Sequence, residues 1–168
     1  MWKLIIAGSR SLHPTDEQID AEVLRLPIWG EIPPDVARVR EVISLVVSGR
    51  SPGGGVDLCG ERWARARGIE VHPEPITDAD VRRFGKFMAP KVRNARMAEL
   101  GDLALIFWDG ISNGSTDLNM RMTLRKKQVE VVPMRRPRGG GKRRRAVRGA
   151  GDGGRTESAE NGATAGTC

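Results

Sequence analysis

Cysteine, histidine and long apolar runs are all scarce in this chain. Two cysteines, Cys59 and Cys168, among 168 residues cannot build a disulfide framework, so a reducing, cytoplasmic setting is the expectation. His13 and His72 have no third ligand beside them in sequence, so no metal site is predicted, and no cofactor is expected. No apolar stretch approaches the roughly 18 residues of a membrane span. The opening apolar segment meets Gly8 too early for a signal peptide. Two nucleotide motifs are also missing. There is no GxGxxG dinucleotide fingerprint and no P-loop lysine, which argues against hydrolysis of nucleoside triphosphates.

The formal net charge is +7, but it is unevenly placed. Residues 1–133 hold 19 basic and 18 acidic side chains, whereas residues 134–168 hold 9 and 3. The high isoelectric point is therefore a property of the tail, and a nearly neutral domain is a poor nucleic-acid platform. The run Arg135-Arg136-Pro137-Arg138, followed by glycines and Lys142-Arg143-Arg144-Arg145, cannot bury enough apolar surface to order itself. The organisation predicted is one domain over 1–133 and a disordered, basic, glycine-rich tail over 134–168. Residues 135–148 are a solvated run first and a weak nucleic-acid contact second.

What the domain does contain is alternation. Short apolar runs at 3–7, 42–47, 69–72, 103–108 and 129–132 have the length of strands buried on both faces. Helical patterns lie between them, from the Thr15 cap to about residue 26, then over 57–67, 87–100 and 116–127, with a short helix at 36–40. Gly68 and Gly101 stop two of them. The fold class is α/β: a three-layer, Rossmann-like arrangement on a mainly parallel sheet of about five strands. The stretch 73–86, with Pro73 and Pro75, reads as a long connection, either a lid or a surface excursion.

The first, second and fourth strands end in small or polar residues where an open parallel sheet binds its ligand. Gly8, Ser9 and Arg10 follow the first strand: a turn, a hydroxyl and a two-pronged phosphate contact. Ser48 and Gly49 end the second and lead to Gly54, Gly55 and Asp57, where Asp57 can cap the next helix or accept ribose hydroxyls. Glu61, one turn on, shares its face and is either an acid/base partner or a solvent-facing carboxylate. Arg93 and Asn94 lie on the third long helix. Asp109 ends the fourth strand, and Gly114, Ser115 and Thr116 form a phosphate cradle at a helix start. Cys59, Trp63 and Trp108 read as core.

The motifs Gly8-Ser9-Arg10, the stretch from Ser48 to Ala64, Gly85-Lys86, Pro90 with Arg93-Asn94 and Met97, and Phe107-Trp108-Asp109-Gly110 with Ser112 and Gly114 together resemble the YspA-type branch of the SLOG superfamily over about residues 3–132. That resemblance implies a Rossmann-like fold related to Smf/DprA and to the Lonely Guy phosphoribohydrolases, and a bound nucleotide or nucleotide-derived ligand, in bacteria or their phages. The loop after Gly49 is longer than the branch pattern, and Gly114-Ser115 replaces its Gly-Thr. The Lonely Guy enzymes pair an arginine with a glutamate; Arg93 takes the arginine's place, and Asp117, one methylene shorter, lies near the glutamate's. Three functions follow as expectations. The first is ligand binding at the sheet rim. The second is N-glycosidic hydrolysis of a nucleoside monophosphate, with Arg93, Asp117 and Glu61 as its machinery and Asp57 a further candidate. The third is Smf-like DNA binding through the tail. Apolar helix faces leave room for a homodimer, as relatives form.

Overall fold

The computed structural model describes residues 1–136. The predicted disordered tail lies outside the described residues from position 137 onward. The apolar runs become β1 (Trp2–Gly8), β2 (Ile43–Ser48), β3 (Glu70–Pro73), β4 (Leu103–Trp108) and β5 (Gln128–Pro133), one sheet in the order β3-β2-β1-β4-β5. All four pairings are parallel. In the central β1 and β4, Leu4, Ile5, Ile6, Leu103, Ala104 and Leu105 are fully buried, which is why their sequences show no polar alternation.

The crossovers are helical: α1 (Asp16–Val23), a 3-10 turn (Val36–Arg38) continued by α2 (Val39–Val42), α3 (Val56–Ala66), α4 (Asp78–Leu100) and α5 (Asn113–Leu124). Thr15 and Gln18 form a reciprocal capping box at the start of α1. α1 stops three residues before the predicted end because Pro27 disfavours helical geometry at Leu26, and the chain tightens there into successive turns.

The connection predicted over 73–86 is corrected. Thr77 and Asp80 form a second capping box, and α4 begins at Asp78. Two prolines and a glycine obscured it. The helix is broken at Gly85, whose φ of 76° and ψ of 163° lie outside the helical region, so the predicted start near 87 corresponds to its second segment.

Alternate residues of the sheet face two apolar layers. Leu4, Ile6, Leu105 and Phe107 pack with Ile19 of α1, Val42 of α2, and Val56 and Trp63 of α3. Ile5, Ala7, Ala104 and Ile106 pack with Met97 and Ala98 of α4 and Leu118 and Met122 of α5. The strand order reverses between β1 and β4, so their carboxyl ends diverge into a crevice. Gly8 is required at its edge: a Cβ there would lie 2.1 Å from the Phe107 carbonyl oxygen.

Candidate functional site

A cavity of about 390 Å³ opens at this crevice, lined from β1, the β2–α3 loop, α4 and the β4–α5 loop. Among the predicted residues, Gly8, Ser9, Arg10, Asp57, Arg93, Asn94, Asp109, Gly114 and Ser115 share its wall. Turns separated by a hundred residues thus meet at one rim of the sheet.

Arg93 projects from α4, and its Nη1 donates to the Gly49 carbonyl. The same atom lies 3.8 Å from Asp57 Oδ2. Burial pushes the Asp57 carboxyl above its ordinary value, against the lowering pull of Arg93. Burial likewise pulls the Arg93 guanidinium down, against the opposing effect of Asp57. At that separation neither charge makes good the water the other has lost. Arg93 Nε and the hydroxyl of Ser51 are both buried without a hydrogen-bond partner among the described residues.

Asp57 does not cap α3, which corrects that expectation. Gly55 occupies the N-cap position with no side-chain cap, and Asp57 lies inside the first turn, where Oδ2 accepts the Ser51 amide at 3.1 Å. Gly55, at φ 74°, passes so close to Arg10 that a Cβ would lie 2.6 Å from its backbone. Gly53 similarly supports the Arg10 side chain. The loop therefore braces Arg10, and the Arg10 guanidinium forms no ion pair among the described residues.

The opposite wall is the start of α5. Ser112 caps it, accepting the Ser115 amide at 3.4 Å and the Ser115 hydroxyl at 3.1 Å. Asp109 Oδ1 accepts the amides of Ile111 and Ser112 at 3.2 and 3.0 Å. Its other oxygen accepts Arg136 Nε at 2.7 Å and the Ser11 hydroxyl at 3.2 Å. Burial alone would raise this carboxyl, but the hydrogen bonds of Ser9, Arg136 and the two amides outweigh it and hold it well below the usual carboxylate range. Asn94 crosses from α4, donating to the Gly114 carbonyl at 3.1 Å and to Asp117 Oδ2 at 2.9 Å.

Several predicted residues stand elsewhere. Ser48, fully buried, donates to Glu61 Oε1 at 2.9 Å. Glu61 is 1% exposed, paired with Arg65 at 2.7 Å, and does not line the cavity. Its solvent-facing alternative is corrected: the face it shares with Asp57 turns toward the sheet. Asp117 sits behind Asn94, also held by Arg121 at 2.9 Å. Gly49 and Gly54 shape the loop, and the Thr116 hydroxyl turns back to the Ser112 carbonyl. Trp63 is core, with Nε1 donating to Asp20. Trp108 is half-buried, with Nε1 donating to the Ser112 carbonyl. The sequence reading missed Ser51, Met97 and Arg136 as wall residues. Met97 carried a signal, its i, i+4 spacing from Arg93; Arg136 was hidden inside the basic run.

No protein-family model matches the chain, and no match is found among curated proteins. Among solved structures, the X-ray structure of DNA processing protein A (DprA) from Streptococcus pneumoniae is similar, with a TM-score of 0.51 and 16% identity over 80% of this chain. The chain spans about half of that protein, 51% of its length. At that identity the likeness establishes a shared Rossmann-like α/β fold.

Proposed function

We propose that this protein binds a nucleotide or nucleotide-derived anion at the carboxyl rim of its sheet, in the manner of the YspA-type SLOG proteins it resembles. The observation that carries this reading is the buried guanidinium of Arg93, whose Nε has no hydrogen-bond partner among the described residues, on a cavity that also receives Arg10 and the amino end of α5. A ligand anion in the cavity would supply the counter-charge that Asp57 at 3.8 Å provides only in part. The amides at the start of α5 favour a phosphate in their own right. A charge-assisted hydrogen bond contributes about 1.5–3 kcal/mol, so Arg93→Ala and Arg10→Ala should each weaken binding at least about tenfold. Thermal-shift titration with a nucleotide panel tests this, since a ligand selective for the folded state raises the midpoint. Unchanged midpoints with every nucleotide would reject the reading.

A second reading, hydrolysis of an N-glycosidic bond, is favoured by Asp57. It lines the cavity, and burial raises its carboxyl toward the range of a general acid. With Arg93 on the phosphate, Asp57 would protonate the departing base as a water molecule adds to C1′, and the proton lost by that water would restore the Asp57 carboxyl, releasing free base and ribose 5-phosphate. Chromatography of nucleoside monophosphates incubated with the protein and with Asp57→Asn separates the two readings. Free base formed by the first and not by the second supports hydrolysis; none formed by either supports binding alone.

A further inference from the structure

Among the described residues, the most exposed large apolar side chain is Phe87, 94% accessible. It follows the break at Gly85 and opens the second segment of α4. From there α4 lines the cavity with Pro90, Arg93, Asn94 and Met97, the i, i+3, i+4, i+7 pattern of one helical face. Phe87 stands one turn before Pro90 on that face. Because α4 returns from the carboxyl end of β3 to the amino end of β4, its first residues rise above the rim. Met97 therefore lies deep in the crevice and Phe87 beyond its mouth.

We infer that Phe87 is the stacking platform for the base of a nucleotide held in this cavity, an inference that rests on the binding reading above. The geometry orders the ligand from inside to outside. Its phosphate goes to Arg93 and the start of α5, where Asn94 is tied to Gly114. Its sugar passes Asp57, whose carboxylate lies 3.8 Å from Arg93. Phe87 is two helical turns, roughly 10 Å, above Asn94, a distance that a phosphate–ribose–base ligand spans. Of the α4 residues that line the cavity, Pro90 stands between Arg93 and Phe87, so a flat ring that has passed the polar side chains meets an apolar wall before the aromatic face. The platform is also braced. Arg96 binds both Glu74 and Asp80, tying the first segment of α4 to the second across Gly85. The class of ligand implied is a base-bearing nucleotide, and a sugar phosphate without a base would leave Phe87 in water.

Calorimetric titration of the full chain with adenosine 5′-monophosphate, uridine 5′-monophosphate and ribose 5-phosphate tests this. Stacking of one base on one aromatic ring supports a loss of at least about fivefold in nucleotide affinity for Phe87→Ala. Ribose 5-phosphate affinity should stay within about twofold, and Phe87→Trp should restore nucleotide binding. The exposure of Phe87 means the variants keep the wild-type melting temperature, which is measured in parallel. Equal losses for nucleotide and sugar phosphate, or no loss for either nucleotide, overturn the platform while leaving the pocket standing. Failure of the wild-type protein to bind any of the three probes overturns the pocket reading and this inference with it.

Discussion

Arg136 folds back over the end of β4 and closes a two-pronged ion pair on Asp109, with both guanidinium contacts at 2.7 Å. Asp109 thereby joins the β4–α5 loop to the segment after β5, while the Ser9 hydroxyl accepts its backbone amide at 3.2 Å. Replacing it with asparagine keeps an acceptor for the Ile111 and Ser112 amides but removes the charge facing Arg136. Replacing it with alanine removes both. Asp109→Ala is therefore expected to be the more destabilising, losing about 1–3 kcal/mol through the stranded partners, and urea unfolding of both variants measures the order. The pH dependence has a definite sign. The folded state depresses this carboxyl, so its contribution is complete above the ordinary aspartate value of about 3.9. It fades as the pH falls toward the folded value, and the Asp109→Asn protein should show a shallower acid limb.

Two glycines at the site are required for different reasons, and alanine should separate them. A Cβ on Gly8 would strike the Phe107 carbonyl oxygen at 2.1 Å, a backbone atom of the central sheet. Gly8→Ala must spread β1 from β4 and should cost about 3 kcal/mol or more. A Cβ on Gly49 would instead meet Arg93 Nη1 at 1.8 Å and Asp57 Oδ2 at 2.9 Å. These are ends of side chains, so Gly49→Ala should displace the guanidinium, weaken ligand binding and leave unfolding less affected than Gly8→Ala does. Equal unfolding losses in the two variants would contradict this division.

Glu61 is the clearest case of a residue misplaced by pattern alone. It is buried at 1% exposure between Ser48 and Arg65, and no cavity atom belongs to it. Glu61→Ala leaves the buried Ser48 hydroxyl only the longer contact to the Asp57 carbonyl at 3.5 Å to donate to, removes the partner of Arg65, and should cost about 1–3 kcal/mol of stability, with ligand affinity unchanged for the protein that remains folded. A binding or activity loss without a stability loss would restore it to the site.

The sheet was legible because its central strands are doubly buried, so their apolar runs stand out against Gly8, Gly49 and Gly101. The convergence of the loops was legible for a topological reason: in a parallel sheet every strand end faces the same way. Other features lay beyond the sequence. The fate of Asp57 depended on whether α3 starts at Val56 or at Leu58, a difference of two residues that turns a cap into a wall. Arg136 is one arginine in a basic run, and only the path of the chain past β5 brings it to Asp109. The start of α4 was hidden by Pro75 and Gly85, although Thr77 and Asp80 carry the capping spacing.

The basic run gives a prediction that depends on charge alone. Residues 134–168 carry nine basic and three acidic side chains, enough to release counterions from a polyanion. Removing residues 138–168 should reduce affinity for DNA and flatten its dependence on salt, both read by fluorescence anisotropy. Equal affinity and equal salt slope would place any DNA contact on the folded domain.

Asp117 separates positioning from chemistry. Its Oδ2 accepts Asn94 Nδ2 and Arg121 Nε, each at 2.9 Å, and the carboxylate lies behind Asn94, off the cavity wall. An asparagine at 117 still offers an oxygen to Asn94, so Asp117→Asn should keep ligand affinity within about threefold, less than the roughly 1.4 kcal/mol of a tenfold change. Asp117→Ala frees the Asn94 amide to rotate from Gly114 and should weaken binding by more than the conservative change does. A residue that carried a proton would behave in the opposite order of consequence. Asparagine would then abolish any release of free base as fully as alanine, whatever the affinity. Binding and base release measured on the same two variants therefore assign Asp117 to one role or the other.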